Sequence, residues 1–214
     1  MAEPQQFARS FDGAVDAYER GRPGYPADAV EFLVGAARAI LDLAAGTGKL
    51  TASLLGAGRD VVAVEPLDGM RTALADRLPE VRALAGSAER IPLPDGCVDA
   101  VTIAQAWHWF DEASAAREIA RVLRPGGTVG AIWNYVDQDV PWAGAIWARM
   151  HEVALRTEVA GEDAPAFGDQ FGPPSRPNSR TASRSTATCC GSSSAPAATS
   201  SGWPPPTGSD CSTT

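Results

Sequence analysis

The sequence predicts an α/β fold: a Rossmann-like, doubly wound, mostly parallel sheet that lacks its final antiparallel strand pair. Three observations predict it. Between Pro26 and Trp133 short apolar runs alternate with amphipathic stretches, the order of a parallel sheet covered by helices on both faces. A glycine-rich turn, Gly46-Thr-Gly48, closely follows the first buried run. Beyond Gly172 the residues that could build a further apolar strand pair are missing, because residues 173–214 contain no Leu, Ile, Val, Met, Phe or Tyr.

Each element follows from its local pattern. Val30, Leu33, Val34 and Ala37 fall at i, i+3, i+4 and i+7, one face of a helix. Ala39 to Leu43 then reads as a buried strand, broken by the glycine turn. A second helix runs through Leu54 and Leu55, a second strand covers Val61 to Glu65, and Met70, Leu74 and Leu78, spaced by four, mark a third helix. Val81 to Ala85 is a short third strand and Val98 to Ile103 a fourth. Ala116, Ile119, Ala120 and Leu123 turn one face of the next helix toward the core. Arg124-Pro-Gly-Gly127 stops that helix, since proline has no amide to continue it and glycine suits the turn. Thr128 to Trp133 is the fifth strand, and Ile146, Met150, Val153 and Thr157 mark one more helix.

Composition narrows the function. The 214 residues carry 18 basic and 26 acidic side chains, a net charge of −8, so there is no positive footprint for a phosphate backbone and no nucleic-acid partner is expected. No apolar run approaches the ~18 residues of a membrane-spanning helix, and the N-terminus lacks the basic-then-apolar order of a secretory signal. A cytoplasmic protein without a membrane partner is expected. Cys97, Cys189, Cys190 and Cys211 show neither zinc-ligand spacing nor a disulfide framework, and no metal site is expected.

The domain boundary is drawn at Gly172. Residues 1–172 read as the folded domain and residues 173–214 as a Ser/Pro/Thr/Ala-rich tail that cannot bury a core. Two origins fit the tail: a genuine disordered segment, or a frameshift near Gly172. For the second, 40 of its 42 residues, all but Asn178 and Asp210, are encoded with G or C at the second codon position. The large aliphatic residues all need T there, and a register slip in a GC-rich gene moves its GC-rich third position into the second. The other two reading frames separate the origins: a genuine tail has no apolar, strand-like continuation in either.

The strongest chemical signal is Leu41-Asp-Leu-Ala-Ala-Gly-Thr-Gly-Lys-Leu-Thr51, a buried strand leading into a turn that opens a helix. Gly46 and Gly48 have no side chain and tolerate positive φ, so a nucleoside-containing ligand can approach the backbone there. A phosphate-binding P-loop would need glycine at position 43 and Ser or Thr at position 50, and both positions are Leu. A dinucleotide fingerprint would place a third glycine where Thr51 stands, which disfavours a nicotinamide-dependent oxidoreductase without excluding it. Glu65 ends the second strand 23 residues after Asp42, where a carboxylate can accept from both ribose hydroxyls; a solvated strand-end acid is the plainer alternative. Asp42 sits inside an apolar run, which is costly for a carboxylate unless it is paired or hydrogen-bonded.

From about Tyr18 to Trp133 the chain resembles the class I S-adenosylmethionine-dependent methyltransferases of the small-molecule kind that includes trans-aconitate methyltransferases. The resemblance rests on Leu41 to Gly48, Val64-Glu-Pro66 with Met70, Gly86-Ser-Ala-Glu89 followed by Ile91-Pro-Leu-Pro-Asp95, Ala106-Trp-His-Trp-Phe-Asp111, and Arg121 to Gly127, in that order and spacing. Arg22-Pro-Gly-Tyr-Pro26 is similar to the lead-in of the same group.

The resemblance implies S-adenosyl-L-methionine as cofactor and a small-molecule methyl acceptor. It places the methionine part against Ala44, Gly46, Thr47 and Gly48 with Asp42 in support, and assigns the ribose to Glu65. Met70 would pack by the adenosine, Ser87 and Ala88 would flank the adenine, and Gln105 would complete the cofactor site. Relatives often carry an acid at the Ser87 position to accept from the adenine amino group, and this chain departs from that pattern with a serine. His108, just after the fourth strand, is the candidate general base, because imidazole titrates in a useful range; a packed pocket wall with Trp107 and Trp109 is the competing role. Tyr18 and Tyr25 are candidates to close over the methionine end, and His151 reads as a surface residue. The alternative to a methyltransferase is a non-catalytic or defective S-adenosylmethionine-binding fragment, since losing two strands exposes apolar surface.

Overall fold

The computed structural model describes residues 23–56, 58–134, 141–142, 144–145, 148–149, 167–173, 175 and 185–191. In chain order the elements are α1 (Ala27–Val34), β1 (Ala39–Leu43), α2 (Lys49–Leu54), β2 (Asp60–Val64), α3 (Asp68–Arg77), β3 (Arg82–Leu84), β4 (Val98–Ala104), a single 3₁₀ turn (Trp107–Trp109), α4 (Glu112–Val122), β5 (Leu123–Asn134) and β6 (Ser185–Gly191). The helix expected on Ile146, Met150, Val153 and Thr157 lies outside the described residues.

The strands form one sheet in the order β3-β2-β1-β4-β5-β6, with the first five parallel and β6 antiparallel to β5. The fold is the mostly parallel Rossmann-like one expected. Its central strands read as largely apolar runs because helices cover both of their faces: Ile40, Leu41, Leu43, Val62, Ala63, Val64, Val101 and Ile103 are all buried. Helix α1 buries Ala29, Val30, Leu33 and Val34 and is closed by Gly35, whose φ of 49° and amide bond to the Glu31 carbonyl (2.7 Å) end it in one residue. Leu33 reaches the sheet only because residue 130 is glycine: a Cβ there would stand 2.6 Å from the Leu33 Cδ2.

At two places the structure departs from the local reading. Helix α4 ends at Val122, and Arg124-Pro-Gly-Gly127 lies inside β5 as an irregularity, not as a free turn. Pairing passes from Val98 with Leu123 directly to Ala100 with Thr128, so the extra residues bulge out. Gly127 permits this, since a Cβ would sit 2.9 Å from both the Arg124 and the Asp99 carbonyl oxygens. The second departure concerns the segment beyond Gly172, expected to lie outside the fold. Ser185–Gly191 forms β6, paired residue for residue with Thr128–Asn134. Ladder hydrogen bonds are made by the backbone, so an edge strand forms without the large apolar side chains a central strand needs.

Candidate functional site

In a doubly wound sheet, ligands bind beyond the carboxyl ends of the strands where the chain order reverses. Here that point lies between β1 and β4, which are direct neighbours with Leu43 opposite Ile103. The turn after β1 and the turn after β4 therefore flank one crevice. Both carry a non-glycine residue in the left-handed region, Ala44 at φ 56° and Gln105 at φ 59°, and no other described non-glycine residue has positive φ. Such backbone strain persists only where its surroundings hold it, and it gathers at ligand sites.

Below the crevice Asp42 is wholly buried. Its two oxygens accept from the hydroxyls of Thr51 (2.6 Å) on α2 and Thr102 (3.2 Å), its register partner on β4. Burial pushes its carboxyl up to about 7, against the pull of those two hydroxyls, and the charge of Glu65 adds to the rise. Asp42 thus ties the start of α2 to two adjacent strands and supports the glycine turn from beneath. Thr51 and Thr102 were not singled out from sequence. Thr102, a residue common in strands, gives no signal in the sequence; only the register of β1 and β4 sets it opposite Asp42.

Glu65, one residue beyond β2 and buried, bridges two turns. One oxygen accepts from the Gly46 amide (2.8 Å) and the other from the Leu67 amide (2.9 Å), while its carbonyl accepts from Arg71 (2.9 Å). This orientation fixes the carboxylate against the glycine turn. Gly46 has φ 58° and open space where a Cβ would stand, so its missing side chain leaves room on the crevice side. Gly48 serves packing instead: at φ 82° its Cβ would meet Leu74 at 3.0 Å and Leu78 at 3.1 Å. Thr47 between them is buried, and the turn closes with the Gly48 amide on the Ala45 carbonyl (3.0 Å).

Met70 is buried in the first turn of α3. Ser87 lies past β3, where it pairs with Arg90 in an isolated bridge, and Ala88 behind it is buried in the main core cluster. Gln105 is held by its amide on the Ile132 carbonyl (3.0 Å), and its side-chain Nε2 is buried with no hydrogen-bond partner. An orphaned buried donor costs about 1–3 kcal/mol. Trp107 is buried and packs edge-on against Phe110 and Phe167, its indole N–H donating to Glu112 (3.2 Å). His108 is exposed, its ring 4.5 Å from that of Trp109. Trp107 is thus part of the main core cluster, whereas His108 is on the surface. Glu89, missed in the sequence, accepts from the Asp111 amide (3.0 Å) and so ties the loop after β3 to the loop after β4. Tyr25 is half-buried beside α1; Tyr18 and His151 lie outside the described residues. Among the described residues no cluster of three His, Cys, Asp or Glu could hold a metal, and no helix is long and apolar enough to cross a membrane.

Residues 41–130 match the family model described as methyltransferase domain. The chain is 57% identical over 134 residues to an uncharacterized methyltransferase of Mycobacterium tuberculosis, covering 62% of this chain and 55% of that protein. It is 41% identical over 173 residues to an uncharacterized methyltransferase-like protein of Schizosaccharomyces pombe, 78% of this chain and 64% of that one. The chain thus spans a little over half the length of the first of these relatives. In fold it matches a crystal structure of an S-adenosylmethionine-dependent methyltransferase from Thermotoga maritima, with a TM-score of 0.59, 20% identity, and coverage of 85% of this chain and 97% of that one.

Proposed function

We propose that this chain, whose residues 41–130 match the methyltransferase-domain family model, is a class I enzyme that transfers the methyl group of S-adenosylmethionine to a small-molecule acceptor in the manner of the trans-aconitate methyltransferase-like group. The observation that carries this is the Gly46–Glu65 arrangement: a strand-end carboxylate clamped to the amide of a glycine whose absent Cβ would project into open space. That geometry fits a nucleoside with its ribose on Glu65 and its thioether chain over Gly46. Asp42, Ala44, Thr47 and Gly48 shape the floor, Met70, Ser87 and Ala88 border the base, and Gln105 closes the far side.

The cofactor would supply a methyl group already activated by its sulfonium charge. The chain has to hold the acceptor in line with that group, exclude water and, for a protonated acceptor, take up a proton. Trp107 and its aromatic neighbours exclude water from one wall, and His108 takes the proton. For residues 173–214 we propose the frameshift origin.

The test is a melting experiment. S-adenosylhomocysteine at a hundred times its Kd is expected to stabilise the protein by about 2.7 kcal/mol, with NAD giving no shift. A larger shift with NAD than with S-adenosylhomocysteine would replace the methyltransferase by an oxidoreductase. Against a panel of carboxylates, phenols and amines as acceptors, His108→Gln is expected to lower kcat about a hundredfold and leave S-adenosylhomocysteine affinity unchanged. An unaltered kcat would remove the base role.

A further inference from the structure

We infer that Arg121 and Glu118 on α4 are positioning residues that fix the loop after β3 around the adenosine, an assignment that rests on the cofactor reading above. Ser87 and Ala88, which border the base in that reading, belong to this loop. Between β3 and β4 the chain forms no helix or strand beyond the isolated Ser87–Arg90 bridge, so its backbone groups need partners elsewhere. They find them on α4. The Ile91 amide donates to Glu118 (2.9 Å), and the Ile91 and Leu93 carbonyls accept from Arg121 (2.9 and 2.8 Å).

A guanidinium has five N–H donors, and here every one of them is used. Glu118 takes two side-on (2.8 and 2.7 Å), Asp95 takes one (2.8 Å), and the other two go to the carbonyls of Ile91 and Leu93. A planar fork, itself oriented by Glu118, thus straps the loop to the helix at both carbonyls. The strap reaches the turn that borders the base. Pro92 follows Ile91 and its ring closes on Gly86, where a Cβ would stand 2.6 Å from the Pro92 Cδ. Ser87 and Arg90 exchange backbone bonds (3.4 and 3.2 Å), so the turn carrying Ser87 and Ala88 hangs from the strapped segment at both ends. Among the described residues the side-chain partners of Arg121 and Glu118 lie in this loop or are each other, so their effect on a ligand passes through the loop. Support of this kind sets how closely the groups that border a ligand are held.

Wild type, Arg121→Met, Arg121→Lys and Glu118→Gln are titrated by calorimetry with S-adenosylhomocysteine and with 5′-methylthioadenosine, both of which carry the adenosine. Arg59→Met is the control, because it breaks an ion pair to Glu31 (2.6 Å) at the amino ends of the strands and lowers stability without touching the loop. Arg121→Met is expected to weaken both ligands about tenfold. Lysine brings three donors to the same acceptors, so Arg121→Lys should recover most of this and lose only about threefold, as should Glu118→Gln. Arg59→Met should melt lower and bind both ligands as wild type does. The inference is overturned if Arg121→Met melts cooperatively and binds within about twofold of wild type. It is overturned equally if affinity falls as far in Arg59→Met, or if the loss is confined to S-adenosylhomocysteine and so belongs to the amino-acid end. Should Arg121→Met not fold, the two milder variants decide, and wild-type affinity in both of them overturns it. If wild type binds neither nucleoside, the cofactor assignment itself fails and this inference falls with it.

Discussion

Glu65→Gln is expected to weaken S-adenosylhomocysteine binding about a hundredfold, about 2.7 kcal/mol. The carboxylate has two jobs. Within the chain it accepts from the Gly46 and Leu67 amides at 2.8 and 2.9 Å, and a hydrogen bond to a charged group is worth about twice a neutral one. Toward the ligand, an ionised carboxylate accepts at both oxygens, as two vicinal ribose hydroxyls require. Glutamine keeps the shape but puts an NH₂ where one oxygen stood, opposite one of those two amides. Two donors then face each other in a buried place, so the Gly46 turn shifts and one ribose contact is lost. Calorimetric titration beside a melting curve measures both effects. Affinity within twofold of wild type, in variant protein that still melts cooperatively, would remove Glu65 from the site.

The second large effect concerns pH. Folded Asp42 keeps its proton up to about 7, while in the unfolded chain its carboxyl has the ordinary value of 3.8. Between those values the folded state holds one more proton than the unfolded one, so unfolding free energy falls as pH rises. The stability tied to this proton is complete below 3.8, fades across the window and is gone above about 7. Wild type should therefore lose about 4 kcal/mol relative to Asp42→Asn on going from pH 4 to pH 8. Asparagine keeps a carbonyl to accept from Thr51 and cannot ionise. Asp99 and Glu118, whose carboxyls are held low by their partners, act in the opposite sense but are common to both proteins and cancel in the difference. Urea unfolding of both proteins at the two pH values gives the number. A difference that stays flat with pH would mean that Asp42 is ionised in the fold like an exposed acid.

Much of this was legible because the sheet is parallel and covered on both faces. Central strands in such a sheet are mostly apolar, so Ala39–Leu43, Asp60–Val64 and Val98–Ala104 stand out from the chain as short runs. A polar residue inside one of them, as with Asp42, announces a buried partner. What a run does not announce is the partner's identity. Thr51 and Thr102 are nine and sixty residues away from Asp42, and only the strand register brings the second of them opposite it. Edge strands are harder to read for the same physical reason. β6 is made by backbone groups that every residue carries, so the composition of residues 173–214 gave no sign of it.

The sequence by itself determined the alternation of strands and helices, the glycine turn and the strand-end acid, because each rests on local pattern: apolar period, freedom at positive φ, and position after a run. How those pieces meet depends on packing between segments distant in the chain. It set Gly46 on Glu65, folded Arg124–Gly127 into β5 as a bulge, and placed two left-handed residues on either side of the β1–β4 gap. The strain and the orphaned amide at Gln105 exist only there, because both arise from neighbours far apart in the chain that the sheet forces together.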